Sequence, residues 1–170
     1  MTARSLSEVT SEPRGAMSNA FLLAQVGAQA AIQFGERLAG LRLSRPDAGI
    51  LRLVAQSPGL TQRELGRRLS IVPSRLVALL DELQQKGLIE RRRDRQDRRS
   101  HALHLTPSGR NTSEQVGRIA REHDDALCAA LSKDEKLQLN ALLRRIAQGQ
   151  KLIAGVHPGY RLMGRQQRRQ

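Results

Sequence analysis

Arginine is concentrated in one short stretch of this 170-residue chain, and its spacing there suits contact with a polyanion. Six arginines fall within residues 91–99, and such a cluster repels itself unless it meets opposite charge. Three of them, Arg95, Arg98 and Arg99, belong to a polar stretch over 94–100. We expect an aspartate of this loop to pair with one arginine and set its direction. A protruding loop tipped with arginine fits the narrow, electronegative minor groove of A/T-rich DNA.

A second set of candidate DNA contacts lies at the start of a predicted helix over 73–86. Its first turns carry small residues and one arginine, whereas its later turns carry leucines at helical spacing. The first turns can therefore enter a major groove while the later ones anchor the helix in a core. The arginine side chain can bind guanine O6 and N7 with two hydrogen bonds. The candidate contacts of this helix are Pro73, Ser74, Arg75, Val77 and Ala78.

Thr61 and Gln62 open a short helix just before this one. The run from Thr61 to Glu64 has the form of a capping box, which predicts a helix start there. Free backbone N–H groups and the helix dipole at such a start suit a DNA phosphate. These two residues complete the helix-turn-helix arrangement of DNA-binding proteins.

The elements that must position these residues are helices with one short hairpin. Helical periodicity covers about 17–40, and Ser44 followed by Pro46 and Asp47 predicts the start of another helix. After Gly87 the period changes from 3.6 to 2, which predicts strands over 88–93 and 101–106. Their inward-facing residues should be Ile89, Leu103 and Leu105, and two further helices should begin at Thr106-Pro107 and at the capping box Ser132–Glu135.

Charge and composition narrow the class of partner. The net charge is +13, and aromatic residues make up 2% of the chain, which argues against modules that stack the bases of single strands. Residues 61–99 hold eleven basic against six acidic residues, whereas residues 151–170 hold five basic residues and no acid. The latter segment lacks helical periodicity, so we expect a disordered basic tail there. Double-stranded DNA is the partner that fits this distribution best.

Four segments carry a resemblance to a known family. They are LTQREL at 60–65, QKGLIER at 85–91, DRR at 97–99 and LTPSG at 105–109. In this order and spacing they resemble the MarR family of dimeric winged-helix transcriptional regulators, over about residues 20–150. The resemblance implies that Arg99 is the minor-groove arginine and that Asp97 is its orienting partner.

The resemblance also implies a domain organisation and a mode of action. We expect a mainly α fold with a β-hairpin wing, acting as a homodimer on a pseudo-palindromic operator. A small-molecule effector pocket is implied between the dimerisation helices and the winged domain. The expected segments are a disordered arm 1–16, dimerisation helices 17–43 and 107–150, a winged helix-turn-helix domain 44–106 and the basic tail 151–170.

Other classes of function have weaker support. A non-specific architectural DNA binder would exploit the charge alone, and an oxidant sensor would use Cys128, the only cysteine. Neither the motifs of common enzymes nor Cys/His spacings for a metal occur, so we expect no enzyme, metal or cofactor. The charge-free run 15–35 contains a stripe of glutamines, which argues against a membrane span and favours a cytoplasmic protein.

Overall fold

The structure, a computed structural model, describes residues 17–93 and 101–163 of the chain. Helices dominate in this part, with one antiparallel hairpin, which confirms the expected mainly α class with a β-hairpin. Observed and predicted bounds differ by one or two residues, the usual scatter at element ends. The elements are α1 (Asn19–Ala39), α2 (Arg45–Gln56), α3 (Gln62–Leu69), α4 (Pro73–Gln85), β1 (Ile89–Arg93), β2 (His101–Leu105), α5 (Pro107–Leu127), α6 (Lys133–Gly149) and a 3-10 helix (Pro158–Leu162).

Three of the helices begin with reciprocal capping boxes. In α3, the Thr61 hydroxyl accepts a hydrogen bond from the Glu64 backbone N–H (3.3 Å), and the Glu64 carboxylate accepts one from the Thr61 N–H (2.9 Å). The same arrangement opens α2 at Ser44 and α6 at Ser132, as the sequence predicts. Each cap satisfies backbone donors that the helix itself cannot satisfy, which stabilises the helix by about 1 kcal/mol.

The recognition helix candidate α4 begins differently. Its N-cap is Val72, which provides no side-chain hydrogen bond. One face of the helix is instead buried in the aliphatic core that α2, α3 and the hairpin share. The buried residues of α4 are Leu76, Leu79, Leu80 and Leu83.

The hairpin is fixed to the start of α3. Its register pairs Ile89 with Leu105, and the predicted inward residues Ile89, Leu103 and Leu105 are all buried. The turn before α3 extends this pairing, because Gly59 N–H donates to the Leu103 carbonyl (3.0 Å) and Leu103 N–H donates to the Leu60 carbonyl (2.9 Å). The base of the hairpin is therefore held against the helix-turn-helix by backbone hydrogen bonds.

The start of α5 lies tightly against the turn after α4. The Thr106 hydroxyl donates to the Gly87 carbonyl (2.6 Å), and the Thr106 N–H donates to the Leu88 carbonyl (3.2 Å). A Cβ atom on Gly109 would overlap with that Leu88 carbonyl oxygen. Glycine is required there because the two backbones approach more closely than any side chain allows.

A buried ion pair joins the start of α2 to the end of α4. Asp47 is 1% exposed, and its Oδ2 atom accepts hydrogen bonds from Ser44 N–H (2.9 Å) and from Lys86 Nζ (3.3 Å). Lys86 Nζ also donates to the Arg42 carbonyl (3.1 Å). Among the residues that the structure describes, Oδ1 of Asp47 has no hydrogen-bond partner. Lys86 therefore supplies the cation that compensates a carboxylate removed from water.

Part of the segment that we expect to be disordered, residues 151–163, is folded, whereas residues 164–170 lie outside the described residues. Residues 151–163, which we call the strap, run back onto α2 and α3, and Tyr160 in its 3-10 helix is 5% exposed. Tyr160 Oη donates a hydrogen bond to the Pro46 carbonyl (2.7 Å). Burial raises the pKa of the Tyr160 phenol above its ordinary value. The strap is ordered because Tyr160 is buried in the core and Val156 and Met163 pack against that core.

The outer helices leave much of their apolar surface uncovered. Helix α6 buries none of its residues against the chain that the structure describes, and its Leu137 is 63% exposed. Helix α1 buries only Leu38 there. The exposed large apolar residues of these two helices are Phe21, Leu22, Leu23, Val26, Ile32, Leu137, Leu139, Leu142, Leu143 and Ile146.

We predict that Lys86→Met lowers the free energy of unfolding by about 1–3 kcal/mol, because it leaves the Asp47 carboxylate buried without its cation. Urea unfolding followed by circular dichroism measures this change. The control is Lys136→Met, since Lys136 lies 3.9 Å from a largely exposed Asp125 and such a pair contributes about 0–1 kcal/mol. Equal effects of the two substitutions would contradict the role of the buried pair.

Candidate nucleic-acid interface

The first turns of α4 present the face that the sequence predicts for DNA. Pro73, Ser74 and Arg75 are exposed, Val77 is 38% exposed and Ala78 is half-buried. The leucines of the same helix point into the core, so the two faces of α4 differ as a helix inserted in a groove requires. The structure therefore places these five candidate residues on the accessible side of the helix or at its edge.

Thr61 and Gln62 lie at the start of α3 and are both half-buried. The Thr61 hydroxyl also donates to the Glu64 carboxylate (2.7 Å), and these Thr61 hydrogen bonds lower the pKa of Glu64. Thr61 acts first as a helix cap, and its own N–H is already used. A phosphate at this end of α3 would therefore depend on later backbone N–H groups and on Gln62.

The wing tip lies outside the described residues. Arg95, Asp97, Arg98 and Arg99 all belong to it, so their expected roles in the minor groove stay predictions. The structure does describe the base of the wing, where the paired residues Arg93 and His101 mark its two ends. The position of the wing base relative to α4 is therefore fixed by the hairpin.

Arg91 is a residue that sequence reasoning did not separate from its arginine neighbours. It lies on β1, yet its guanidinium makes an ion pair with Asp81 of α4 (2.7 Å) and donates a hydrogen bond to Gln84 Oε1 (3.1 Å). These contacts tie the strand that leads into the wing to the helix beside it. No local sequence pattern predicts the pair of Arg91 and Asp81, because the first lies on a strand and the second on a helix.

A cleft of about 280 Å³ lies between α2, the hairpin and α5. Arg92 and His104 of the hairpin line it, together with Arg110 and Glu114 of α5. Arg110 is oriented by a hydrogen bond that it donates to the Leu105 carbonyl (3.0 Å). Two guanidinium groups and one carboxylate therefore line this cleft, and the guanidinium groups can bind a small organic anion.

Cys128 is the C-cap of α5 and is partly exposed. Within residues 17–93 and 101–163, no group of three or more His, Cys, Asp or Glu side chains could hold a metal ion. In the same ranges, no helix combines the length and the apolar character needed to cross a bilayer.

Comparison with known proteins identifies the architecture. The MarR family model matches residues 43–100, and the repressor CouR, solved bound to a 23-mer DNA duplex, shares 32% identity with this chain. That match has a TM-score of 0.69 and covers 76% of this chain and 92% of CouR. The chain belongs to the MarR family.

This MarR family member is also similar to a curated transcriptional regulator and to a solved structure with a bound small molecule. A putative transcriptional regulatory protein for the hcr operon of Thauera aromatica is 34% identical over 58% of this chain, which spans 59% of the length of that relative. The Mycobacterium tuberculosis MarR family protein Rv2887, solved in complex with salicylic acid, shares 27% identity at a TM-score of 0.63. That match covers 78% of this chain and 98% of Rv2887.

The matched family region coincides with the candidate interface. Residues 43–100 contain α2, α3 and α4 together with β1. The expected resemblance to the MarR family is thereby confirmed. The strap lies beyond the end of this match.

We predict that Arg75→Ala relaxes the preference at one base pair per half-site by about 1–3 kcal/mol, because a two-point contact to guanine is lost. Competition binding at fixed salt, with duplexes that vary one base pair at a time, measures this preference. Arg145→Ala, at an exposed arginine of α6, is the matched control. A uniform loss of affinity across all sequences would instead assign Arg75 to a phosphate.

Proposed function

We propose that this MarR family member is a sequence-specific, double-stranded DNA-binding transcriptional regulator that acts as a homodimer. The observation that carries this proposal is the two-sided character of α4. Four leucines on one side are buried, while Ser74, Arg75 and Val77 on the other side are accessible. A helix that is both anchored and accessible in this way can read base edges in a major groove.

The charge of the central segment supports the same function. Residues 61–99 hold eleven basic against six acidic residues, and α3, α4 and the hairpin all fall within them. The loop 94–100 would place Arg99 in the adjacent minor groove, with Asp97 as its orienting partner. Contacts in two adjacent grooves would increase the affinity for DNA and fix the position of the protein along the duplex.

The uncovered faces of α1 and α6 support a homodimer. Soluble proteins seldom expose an apolar surface of this extent, and such a surface marks an interaction site. We propose that α1, α5 and α6, within residues 17–43 and 107–150, pack against the same helices of a second copy. The two-fold symmetry of such a dimer presents two copies of α4 to half-sites about one helical turn apart.

An effector site is the second part of the proposal. Rv2887 was solved with salicylic acid, and two arginines, Arg92 and Arg110, line the cleft together with His104. A small organic acid could bind there between the winged domain, residues 44–106, and α5. If it binds one orientation of that domain better than another, it changes the spacing of the two α4 helices and releases DNA.

We predict that selection of bound sequences from a random duplex pool yields a pseudo-palindrome whose half-sites lie about one helical turn apart. The intact chain is used, and affinities for the selected and for random duplexes are compared at several salt concentrations. Equal affinity for both kinds of DNA would contradict sequence-specific regulation and support an architectural binder that exploits charge alone.

A pair of variants tests the dimer within the same experiment. Leu142→Asp places a charge on the exposed apolar face of α6 and should shift the sedimentation of the protein towards the monomer. The selected sites should then lose their symmetry. Gln148→Asp adds the same charge at an exposed polar position of that helix, opposite the apolar face, and should leave both readouts unchanged.

We predict that sodium salicylate, used as a probe for an organic acid, raises the thermal unfolding midpoint and weakens DNA binding. Arg110→Gln should weaken salicylate binding roughly tenfold or more, because a charge-assisted hydrogen bond is lost. Differential scanning fluorimetry over a salicylate titration measures the first effect. Arg118→Gln, at an exposed position of the same helix, is the control, and equal binding by both variants would place the anion elsewhere.

A further inference from the structure

The strap is anchored on the helix-turn-helix by contacts that involve specific side chains. The Tyr160 ring lies directly over Gly49 of α2, where an added Cβ would overlap with the phenol oxygen. Tyr160 also donates the hydrogen bond to the Pro46 carbonyl. A ring that fits a glycine on the facing helix, and also donates a hydrogen bond there, indicates a defined docking site.

A second contact lies about one turn beyond Gly49 along α2. The Arg52 guanidinium donates a hydrogen bond to the Gly155 carbonyl. Gly155 has a φ of 70°, in the left-handed region that glycine adopts readily. Apolar residues continue to the end of α3, where Leu69 lines a small pocket together with Ile153 and Val156 of the strap. The strap therefore reaches both helices that precede α4.

The strap connects two parts of the molecule that otherwise have few contacts with each other. It starts at the end of α6, which buries no residue against the described part of its own chain. It ends on α2 and α3, which belong to the winged domain. The chain already joins the winged domain to the long helices at two points, residues 40–44 and residues 105–107. Helix α5 also packs against α2, and Leu38 of α1 and Val116 of α5 lie in the shared core. The strap adds a separate connection, which runs from α6 to α2 and α3.

We propose that the strap is a specificity element of the regulator: it fixes the orientation of the winged domain on the dimerisation helices and so restricts the half-site spacing that the dimer accepts. This inference rests on the proposed function. In a two-fold dimer, the distance between the two α4 helices depends on how each winged domain is held. A restrained domain accepts one spacing, whereas a domain that can turn adapts to several.

The composition of the chain provides a direct readout of strap docking. Tyr160 is the only tyrosine, and the chain has no tryptophan. Intrinsic fluorescence therefore comes from the strap alone, and acrylamide quenching at neutral pH measures how accessible the ring is. In the intact chain, quenching should be much weaker than in the urea-unfolded chain.

Gly49→Ala is the variant that should release the strap. The added methyl group overlaps with the Tyr160 phenol oxygen, while alanine is a better helix former than glycine, so α2 itself should be stable. Gly35→Ala is the matched control, because the same methyl group in α1 meets only the flexible Arg45 side chain at 3.9 Å. Strong quenching of Tyr160 in Gly49→Ala, but not in Gly35→Ala, would establish that the strap has been released.

The functional readout is affinity for a series of duplexes. They carry the two selected half-sites at the selected spacing, or with one or two base pairs inserted or removed. The intact chain and Gly35→Ala should prefer the selected spacing by roughly tenfold or more. Gly49→Ala should bind all spacings within about threefold of one another, while its affinity for a single half-site stays unchanged.

Restoration by a second substitution separates this effect from general damage. Tyr160→Phe removes the overlapping oxygen, so in the Gly49→Ala background the nearest ring atom lies 3.2 Å from the added methyl group. The double variant should therefore dock its strap again and regain most of the spacing preference.

Three results would overturn the inference, and they differ from one another. Strong quenching of Tyr160 in the intact chain would show that the strap does not dock. An unchanged spacing preference in Gly49→Ala with a released strap would show that docking does not restrict spacing. Failure of the intact chain to distinguish selected from random duplexes would overturn the proposed function and, with it, this inference.

Discussion

Burial of one face of α4 is the constraint on which the rest of the structure depends. The helix has no side-chain cap at Val72, so its position is set by leucines that leave water, each contributing about 1.5–3 kcal/mol when fully buried. Leu76, Leu79, Leu80 and Leu83 together hold the helix in the shared core. The opposite face of α4 makes no contact with the core. Arg75 can therefore lie there without lowering the stability of the fold.

The neighbouring elements all limit how α4 can move. The ion pair between Asp47 and Lys86 fixes its end to α2, and the pair between Asp81 and Arg91 fixes it to the strand that enters the wing. The close approach at Gly109 then joins this unit to α5. The winged domain therefore behaves as one rigid body in which α4 and the wing base keep a constant position relative to each other.

Because the winged domain is rigid, its orientation can change only at the junctions with the long helices. The long helices α1 and α6 contribute little to the core of the chain itself, and in our proposal their apolar faces pack against a second copy of the same surface. The cleft lies where the rigid domain meets α5, and the strap runs from α6 onto that domain. In our proposals, a ligand in the cleft and docking of the strap both act on the orientation of the domain and leave its internal structure unchanged.

Local sequence patterns are enough to predict the helices, the two strands and the candidate DNA-facing side of α4. The capping boxes at Thr61 and Ser132 and the change of period after Gly87 are local signals, because helix starts and strand alternation depend on residues a few positions apart. Which distant residues meet depends on the tertiary structure. The contact of Tyr160 with Pro46 spans 114 residues, and a segment without helical periodicity gives no local indication of the Gly49 surface that receives it. Such contacts depend on shape and burial after folding, which composition and periodicity do not encode.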